Sequence, residues 1–293
     1  MSNTFLGSKK NLVCSDFTFI GINYCSADYL EGVELAADKV RKLSGRYANA
    51  DGSAYPLKVY SPEEGFILLS TAIQDLGDIT AANQDELRMQ LNNTPFSSIP
   101  IFVGGDHSVT YELVRRVTHG MGDRKVVVVQ FDAHSDYIDE YAEYPHGSVM
   151  NETHKLDTVE KIIHFGIRGN LNCGPAITNS KNDGNIVVPY YKINNYMNEV
   201  LDAIKDKAVY ITFDTDFMCP VYAPATNCPE PGGPNYEETL QYMKKIIQFS
   251  GNIVGMDFVE YNPQCEGSIL TGTTIVNLIM EAMNYHMVKA TTF

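Results

Sequence analysis

The sequence predicts an α/β protein with a mostly parallel sheet and helices on both of its faces. Three observations carry the prediction. Apolar segments of strand length alternate with amphipathic segments of helical period along the chain. Val126-Val127-Val128-Val129 is apolar at every position, the pattern of a strand buried on both sides of a parallel sheet. Acidic and imidazole side chains then gather just after such segments, where open α/β sheets keep their sites.

Phe17–Asn23 reads as the first strand, and Tyr29–Leu43 as a helix with Val33, Leu35, Val40 and Leu43 roughly on one face. Ser44–Pro62 is rich in Gly, Ser, Asn and Pro and reads as loop. Phe66–Ile79 ends in Asp75-Leu76-Gly77-Asp78-Ile79, and Gln84–Leu91 looks helical. Ile99–Val103 is a short strand running into Gly104-Gly105-Asp106-His107-Ser108. A helix over Val109–Val117 begins there, with Ser108 as its expected cap. Val126–Asp136 is the central strand, and Tyr137–Met150 reads as a loop carrying Asp139, Glu140 and Glu143. Strands follow at Ile162–Ile167, Ile186–Tyr190, Ala208–Phe213 and Ile253–Val259. Helices are expected over Asn194–Ile204, Tyr236–Phe249 (capped by Asn235) and Thr273–Tyr285. No long linker or repeat divides the chain, so one domain over residues 1–293 is expected.

Bulk properties narrow the function. Hydrophobic residues at 44% and charged residues at 20% are those of an ordinary soluble globular protein. Lys+Arg 22 against Asp+Glu 36 gives a net charge of −14, so no basic footprint for nucleic acid exists. A cationic substrate suits this field, although solubility alone also explains an acidic chain. The start lacks a signal-peptide core, and no apolar run approaches membrane-spanning length. Six scattered cysteines without a Cys-x-x-Cys are expected to be reduced thiols in a cytoplasm.

Asp132, His134 and Asp136 follow the valine run at a spacing of two, which in extended chain places them on one side. Two carboxylates and an imidazole in one small volume repel or stay poorly solvated without a cation. Alone, the stretch is either a metal site or a very polar turn. His107 alone reads as a turn or core histidine, and Asp214-Thr215-Asp216 alone as a solvated turn or a pair of caps. Together they put four carboxylates and two imidazoles at one sheet edge, a costly accumulation that points to a two-metal site. Oxygen-rich ligation with some imidazole suits Mn²⁺ best and also admits Mg²⁺, Fe²⁺ or Co²⁺. Two ions about 3.5–4 Å apart can activate a shared water for attack on carbon or phosphorus.

The motifs, in order, are Gly104-Gly105-Asp106-His107-Ser108, Asp132-Ala133-His134-Ser135-Asp136, His146-Gly147-Ser148, Phe213-Asp214-Thr215-Asp216, Pro229-Glu230-Pro231-Gly232-Gly233 and Glu260-Tyr261-Asn262-Pro263. In this order the sequence resembles the ureohydrolases: arginase, agmatinase, guanidinobutyrase and formiminoglutamase. The resemblance implies a three-layer α/β/α sandwich and a binuclear manganese cluster, two Mn²⁺ per chain. It implies that His107, Asp132, Asp136 and Asp214 hold one ion. It gives Asp132, His134, Asp214 and Asp216 to the other, with Asp132 and Asp214 bridging. His146 matches a proton shuttle at the cleft mouth, and Glu260 the carboxylate that receives a guanidinium, a pairing its planar fork favours. Relatives are commonly trimers or hexamers, so a homo-oligomer is implied.

The departures bear on substrate. Asp136 and His146 are ten residues apart, as in agmatinase-like members, whereas arginase has a longer loop there. The loop between is acidic, and Asp139 and Glu140 are expected to face a cationic substrate and repel a carboxylate. The Gly/Arg/Pro-rich loop usual after the first strand of agmatinases is replaced by Ser26–Lys42, and the family's Asp-Pro by Cys219-Pro220. Cys219 is expected to affect loop support rather than the metals. The leading expectation is therefore a manganese ureohydrolase acting on a cationic guanidinium-bearing small molecule, agmatine being the simplest. A second is an atypical arginase that converts arginine side chains of a basic peptide to ornithine. A third, of another class, is a non-catalytic relative that binds and regulates, but no metal ligand is lost. A two-metal phosphatase would want Arg or Lys where these motifs supply acids.

Overall fold

The computed structural model describes residues 4–9, 12, 14–26, 31–48, 57–61, 65–69, 71–139 and 145–291. The strands are β1 (Phe17–Asn23), β2 (Leu57–Ser61), β3 (Gly65–Leu69), β4 (Ile73–Thr80), β5 (Ile99–Val103), β6 (Val126–Phe131), β7 (Val159–Ile167), β8 (Ile186–Pro189), β9 (Ala208–Asp214) and β10 (Asn252–Val259). The helices are α1 (Ala36–Ser44), α2 (Gln84–Asn93), α3 (Thr110–Thr118), α4 (Pro145–His154), α5 (Gly174–Asn182), α6 (Ile193–Ile204), α7 (Tyr236–Phe249) and α8 (Ser268–Thr291). β2 and β3 form a separate antiparallel pair. The rest make one 8-stranded parallel sheet in the order β4-β1-β5-β10-β9-β6-β7-β8.

Side-chain alternation divides the core into two layers. Val127, Val129 and Phe131 of β6 pack with Val40 of α1, Val200 of α6, Met243 of α7 and Ile279 of α8. Val126 and Val128 point the other way, onto Leu87 of α2, Leu113 of α3, Met150 of α4 and Ala176 of α5. Both faces are dry, which is why β6 is apolar at every position but Gln130. The expected sandwich of helices, sheet and helices is the observed one. Among the described residues, no helix is long and apolar enough to cross a membrane.

The structure corrects several expected elements. The strand read as Val126–Asp136 ends at Phe131, and residues 132–136 form a turn. The loop expected over Tyr137–Met150 contains the start of α4, which Pro145 can open because its missing N–H lies in the first turn. α5 was invisible to periodicity because Gly, Asn, Ser and Thr dominate it, and the packing of Ala176 and Ser180 holds it instead. Asp106, not Ser108, caps the turn ahead of α3, its side chain accepting from the Ser108 N–H. The loop expected over Ser44–Pro62 includes β2, while its residues 49–56 and 62 lie outside the described residues. The helix expected over Tyr29–Leu43 is α1 preceded by a short turn at Val33–Leu35, and Tyr29 is outside the described residues. Asn235 does cap α7, with Glu238 completing a reciprocal capping box.

One buried ion pair fastens the sheet edge. Arg41 of α1 donates to both oxygens of Asp75 on β4, at 2.9 and 3.0 Å, and to Asp78. The Phe5 N–H also donates to Asp75, tying the amino-terminal turn to the same carboxylate. Arg41→Ala leaves that acid unpaired in the core and is expected to cost about 3–5 kcal/mol. Denaturant unfolding reads this directly, and a loss no larger than that of an exposed pair would contradict the burial argument.

Candidate metal centre

The four middle strands, β5, β10, β9 and β6, deliver the site residues from their carboxyl ends. After β5 the chain turns through Gly104 and Gly105, at φ +103 and +82. A Cβ on Gly104 would stand 2.8 Å from the Ile22 carbonyl oxygen, so only glycine permits this approach. The turn places His107 at 1% exposure over the sheet edge. Beyond β6, Asp136 takes φ +48, a conformation that Asp tolerates better than most residues. Asp132, His134 and Asp136 therefore converge through a tight turn rather than through strand alternation. Asn172 secures it, accepting from the Ser135 N–H at 3.0 Å and donating to the Ala133 carbonyl at 2.9 Å. Beyond β9, buried Arg168 donates to the carbonyls of Asp216 at 2.6 Å and Phe217 at 3.0 Å.

His107 Nδ1 faces three carboxylate oxygens, those of Asp136 at 2.9 Å, Asp132 at 3.1 Å and Asp214 at 3.2 Å. Its other nitrogen, Nε2, lies 2.9 Å from Thr212 Oγ1. The Thr212 hydroxyl donates to Asp257 Oδ1 at 2.6 Å, so it accepts from His107 Nε2–H. Burial would lower the His107 pKa, but Asp132, Asp136 and Asp214 raise it well above the usual imidazole range, so Nδ1 meets these oxygens through a proton or through a metal ion that replaces it. A second cluster sits alongside: His134 Nδ1 is 2.8 Å from Asp216 Oδ2 and 3.7 Å from Asp132 Oδ1. Asp132 belongs to both groups of donors, His107–Asp132–Asp214 and Asp132–His134–Asp216.

Electrostatics make the same point. Burial, then repulsion by Asp216 and Asp136, raise Asp132 to about 7. Burial, then repulsion by Asp216 and Asp132, push Asp214 well above the usual carboxylate range. Burial would lower His134, but Asp216 and its acidic neighbours hold it up at about 11. Without a metal the centre must store protons, and displacing them is the ordinary behaviour of a metal site. Carboxylate and imidazole donors fit a divalent cation of intermediate hardness.

A cleft of about 350 Å³ opens over these groups, and His146 and Glu260 both line it. Glu260 has φ +60 and a backbone N–H donating to the Gly105 carbonyl at 3.1 Å, which turns its side chain into the cleft. Its Oε1 accepts from the His107 N–H at 2.8 Å, and burial keeps its carboxyl well above the usual range. His146 stands in the first turn of α4. Asp139 is not brought into the cleft: its carboxylate accepts from Asn151 at 2.6 Å and Asn179 at 2.7 Å, stapling α4 to α5. Glu140 and Glu143 lie outside the described residues. Cys219 donates its N–H to the Pro234 carbonyl at 3.0 Å, a contact of the proline-rich loop. Sequence reasoning missed Thr212 and Asp257, fully buried polar residues inside apolar strands. That interruption was the available signal.

Parallel strands, a carboxyl edge and two acid–imidazole clusters sharing one carboxylate define an α/β protein of the metal-binding kind. The chain belongs to the arginase family, whose model matches residues 15–284. It is 30% identical to the agmatinase of Blochmanniella floridana over 196 residues, 64% of this chain and 60% of that protein. The chain thus spans about 60% of the length of the curated relatives it matches. Formimidoylglutamase from Bacillus subtilis superposes with a TM-score of 0.82 at 20% identity, over 97% of this chain and 92% of that one. Trypanosoma cruzi formiminoglutamase, solved with Mn²⁺, gives 0.77 at 16% identity, over 97% and 98%. At these identities the two structures speak for the fold alone.

Proposed function

We propose that this protein is a manganese-dependent hydrolase that cleaves the guanidinium group of an arginine-derived amine, agmatine being the simplest, into an amine and urea. The observation that carries the reading is Glu260. One of its oxygens is pinned by the His107 N–H, while Oε2 is buried without a hydrogen-bond partner beside the cleft. A buried carboxylate oxygen left over in this way suits a planar cation.

His107, Asp132, Asp136 and Asp214 would hold one ion, and Asp132, His134, Asp214 and Asp216 the other. Two bound ions would supply Lewis acidity and a nucleophile drawn from water at neutral pH. The chain's own residues do the rest. Glu260 binds and orients the guanidinium so that its central carbon faces the acid cluster. His146, at the cleft wall, hands a proton to the departing amine. Among the described residues no lysine or arginine lines the cleft, so a substrate carboxylate finds no cationic side chain of that kind there. This speaks against free arginine and 4-guanidinobutyrate. The wider reading is a single domain over residues 1–293, working in a cytoplasm as a trimer or hexamer, with Mn²⁺ favoured by the oxygen-rich donor set with two imidazoles.

Urea release from Mn²⁺-loaded protein, measured with agmatine, arginine, 4-guanidinobutyrate and an arginine-containing peptide, tests the reading. Agmatine is expected to be turned over best. Ornithine formed in the peptide, with agmatine inert, would move the assignment to a peptide arginase; no urea from any of the four would end it.

A further inference from the structure

Behind the carboxylate shared by both donor groups, a chain of buried polar side chains runs away from the cleft. Gln130 of β6 donates from Nε2 to Asp132 Oδ2 at 2.7 Å and to the His134 carbonyl at 3.2 Å. Its Oε1 lies 2.5 Å from Nδ1 of His164, the residue opposite it on β7. His164 Nε2 in turn meets Ser180 Oγ of α5 at 2.8 Å. Gln130, His164 and Ser180 are each 0% exposed.

Donor and acceptor roles in this chain admit one arrangement. With its amide reversed, Gln130 would press Oε1 against a carboxylate, two acceptors in contact. The N–H therefore faces Asp132, Oε1 faces His164, and His164 Nδ1 carries the proton it donates. Burial drives the His164 pKa down to about 3, so the ring is neutral and Nε2 accepts from the Ser180 hydroxyl. Each partner fixes the next, from helix α5 to the acid cluster. The surrounding strand positions Val128 and Val129 are apolar, so packing alone does not call for an amide and an imidazole here.

We propose that Gln130, held in orientation by His164 and Ser180, is a positioning residue for Asp132. By engaging Oδ2 it fixes the plane of the shared carboxylate and directs its remaining lone pairs to the two donor groups. The inference rests on the metal-centre reading above.

Titration with Mn²⁺, followed by the EPR signal of the free ion, tests it on wild type, Gln130→Leu, His164→Phe and His164→Gln. Loss of such outer support typically weakens metal binding by about 10–100-fold, and that loss is expected for Gln130→Leu and His164→Phe. His164→Gln retains an amide N–H for Gln130 Oε1 and should restore affinity close to wild type. Melting of the metal-free forms in chelator, run in parallel, reports packing separately. Wild-type affinity in Gln130→Leu, or equal affinity losses in His164→Gln and His164→Phe, would overturn the proposal. So would lower melting temperatures with unchanged affinity. If wild type itself binds no Mn²⁺, the metal-centre reading falls and this inference with it; normal wild-type binding with indifferent variants removes this inference alone.

Discussion

Asp132→Ala should abolish urea release and take away the ability of Mn²⁺ to raise the melting temperature. Asp132 is fully buried and belongs to both donor groups, His107–Asp132–Asp214 and Asp132–His134–Asp216. Its removal strips a ligand from each cluster and leaves His107 Nδ1 and His134 with fewer anionic partners. A loss of about three decades in rate, near 4 kcal/mol, is a conservative expectation. Stability gives an independent readout. A ligand present at a hundredfold excess over its Kd stabilises the fold by about 2.7 kcal/mol, and the variant should show almost none of this. Melting of its metal-free form separates this from the packing change, since Asp132 also accepts from Gln130 Nε2 and from the His134 N–H. A variant that still binds two ions per chain and still releases urea would remove the shared role.

Glu260→Gln should act in the opposite sense, sparing the metals and damaging substrate capture. The amide oxygen can still accept from the His107 N–H, so the cleft wall keeps its shape. What disappears is the charge offered to a guanidinium. Breaking one side of a buried charge pair costs about 2–5 kcal/mol, or roughly thirtyfold to several-thousandfold in kcat/KM. Metal content by elemental analysis should match wild type. Unaltered kcat/KM for agmatine would place the guanidinium elsewhere, and lost metal would show that Glu260 supports the centre rather than the substrate.

Much of this was legible in the residues. The valine run, the acidic pairs after apolar strands and the Asn235 cap are local signals, and they mark strand, edge and helix start where the structure has them. His107, Asp132, His134, Asp136, Asp214 and Asp216 are indeed brought together. Other features depend on neighbours far along the chain. The turn that gathers Asp132, His134 and Asp136 relies on Asn172, and α5 exists by packing rather than propensity. Asp139 looked like part of an acidic substrate loop, yet its oxygens are taken up by Asn151 and Asn179, which no spacing rule reveals. Thr212–Asp257 and Gln130–His164 pair across strands, so register had to be known before their partners could be named.

The strand order carries a consequence for biosynthesis. β5 and β6 bear His107 and the Asp132 cluster, yet they do not touch: β10 and β9, made much later, lie between them. A growing chain halted before Ala208 would present two half-sheets with open inner edges, His107 on one, Asp132, His134 and Asp136 on the other, and no Asp214 or Asp216. Both donor groups can assemble only once β9 has brought Asp214 and Asp216 and β10 has joined β9 to β5. Occupancy of the centre would then report closure of the sheet, and a chain stopped short of it would keep bare strand edges.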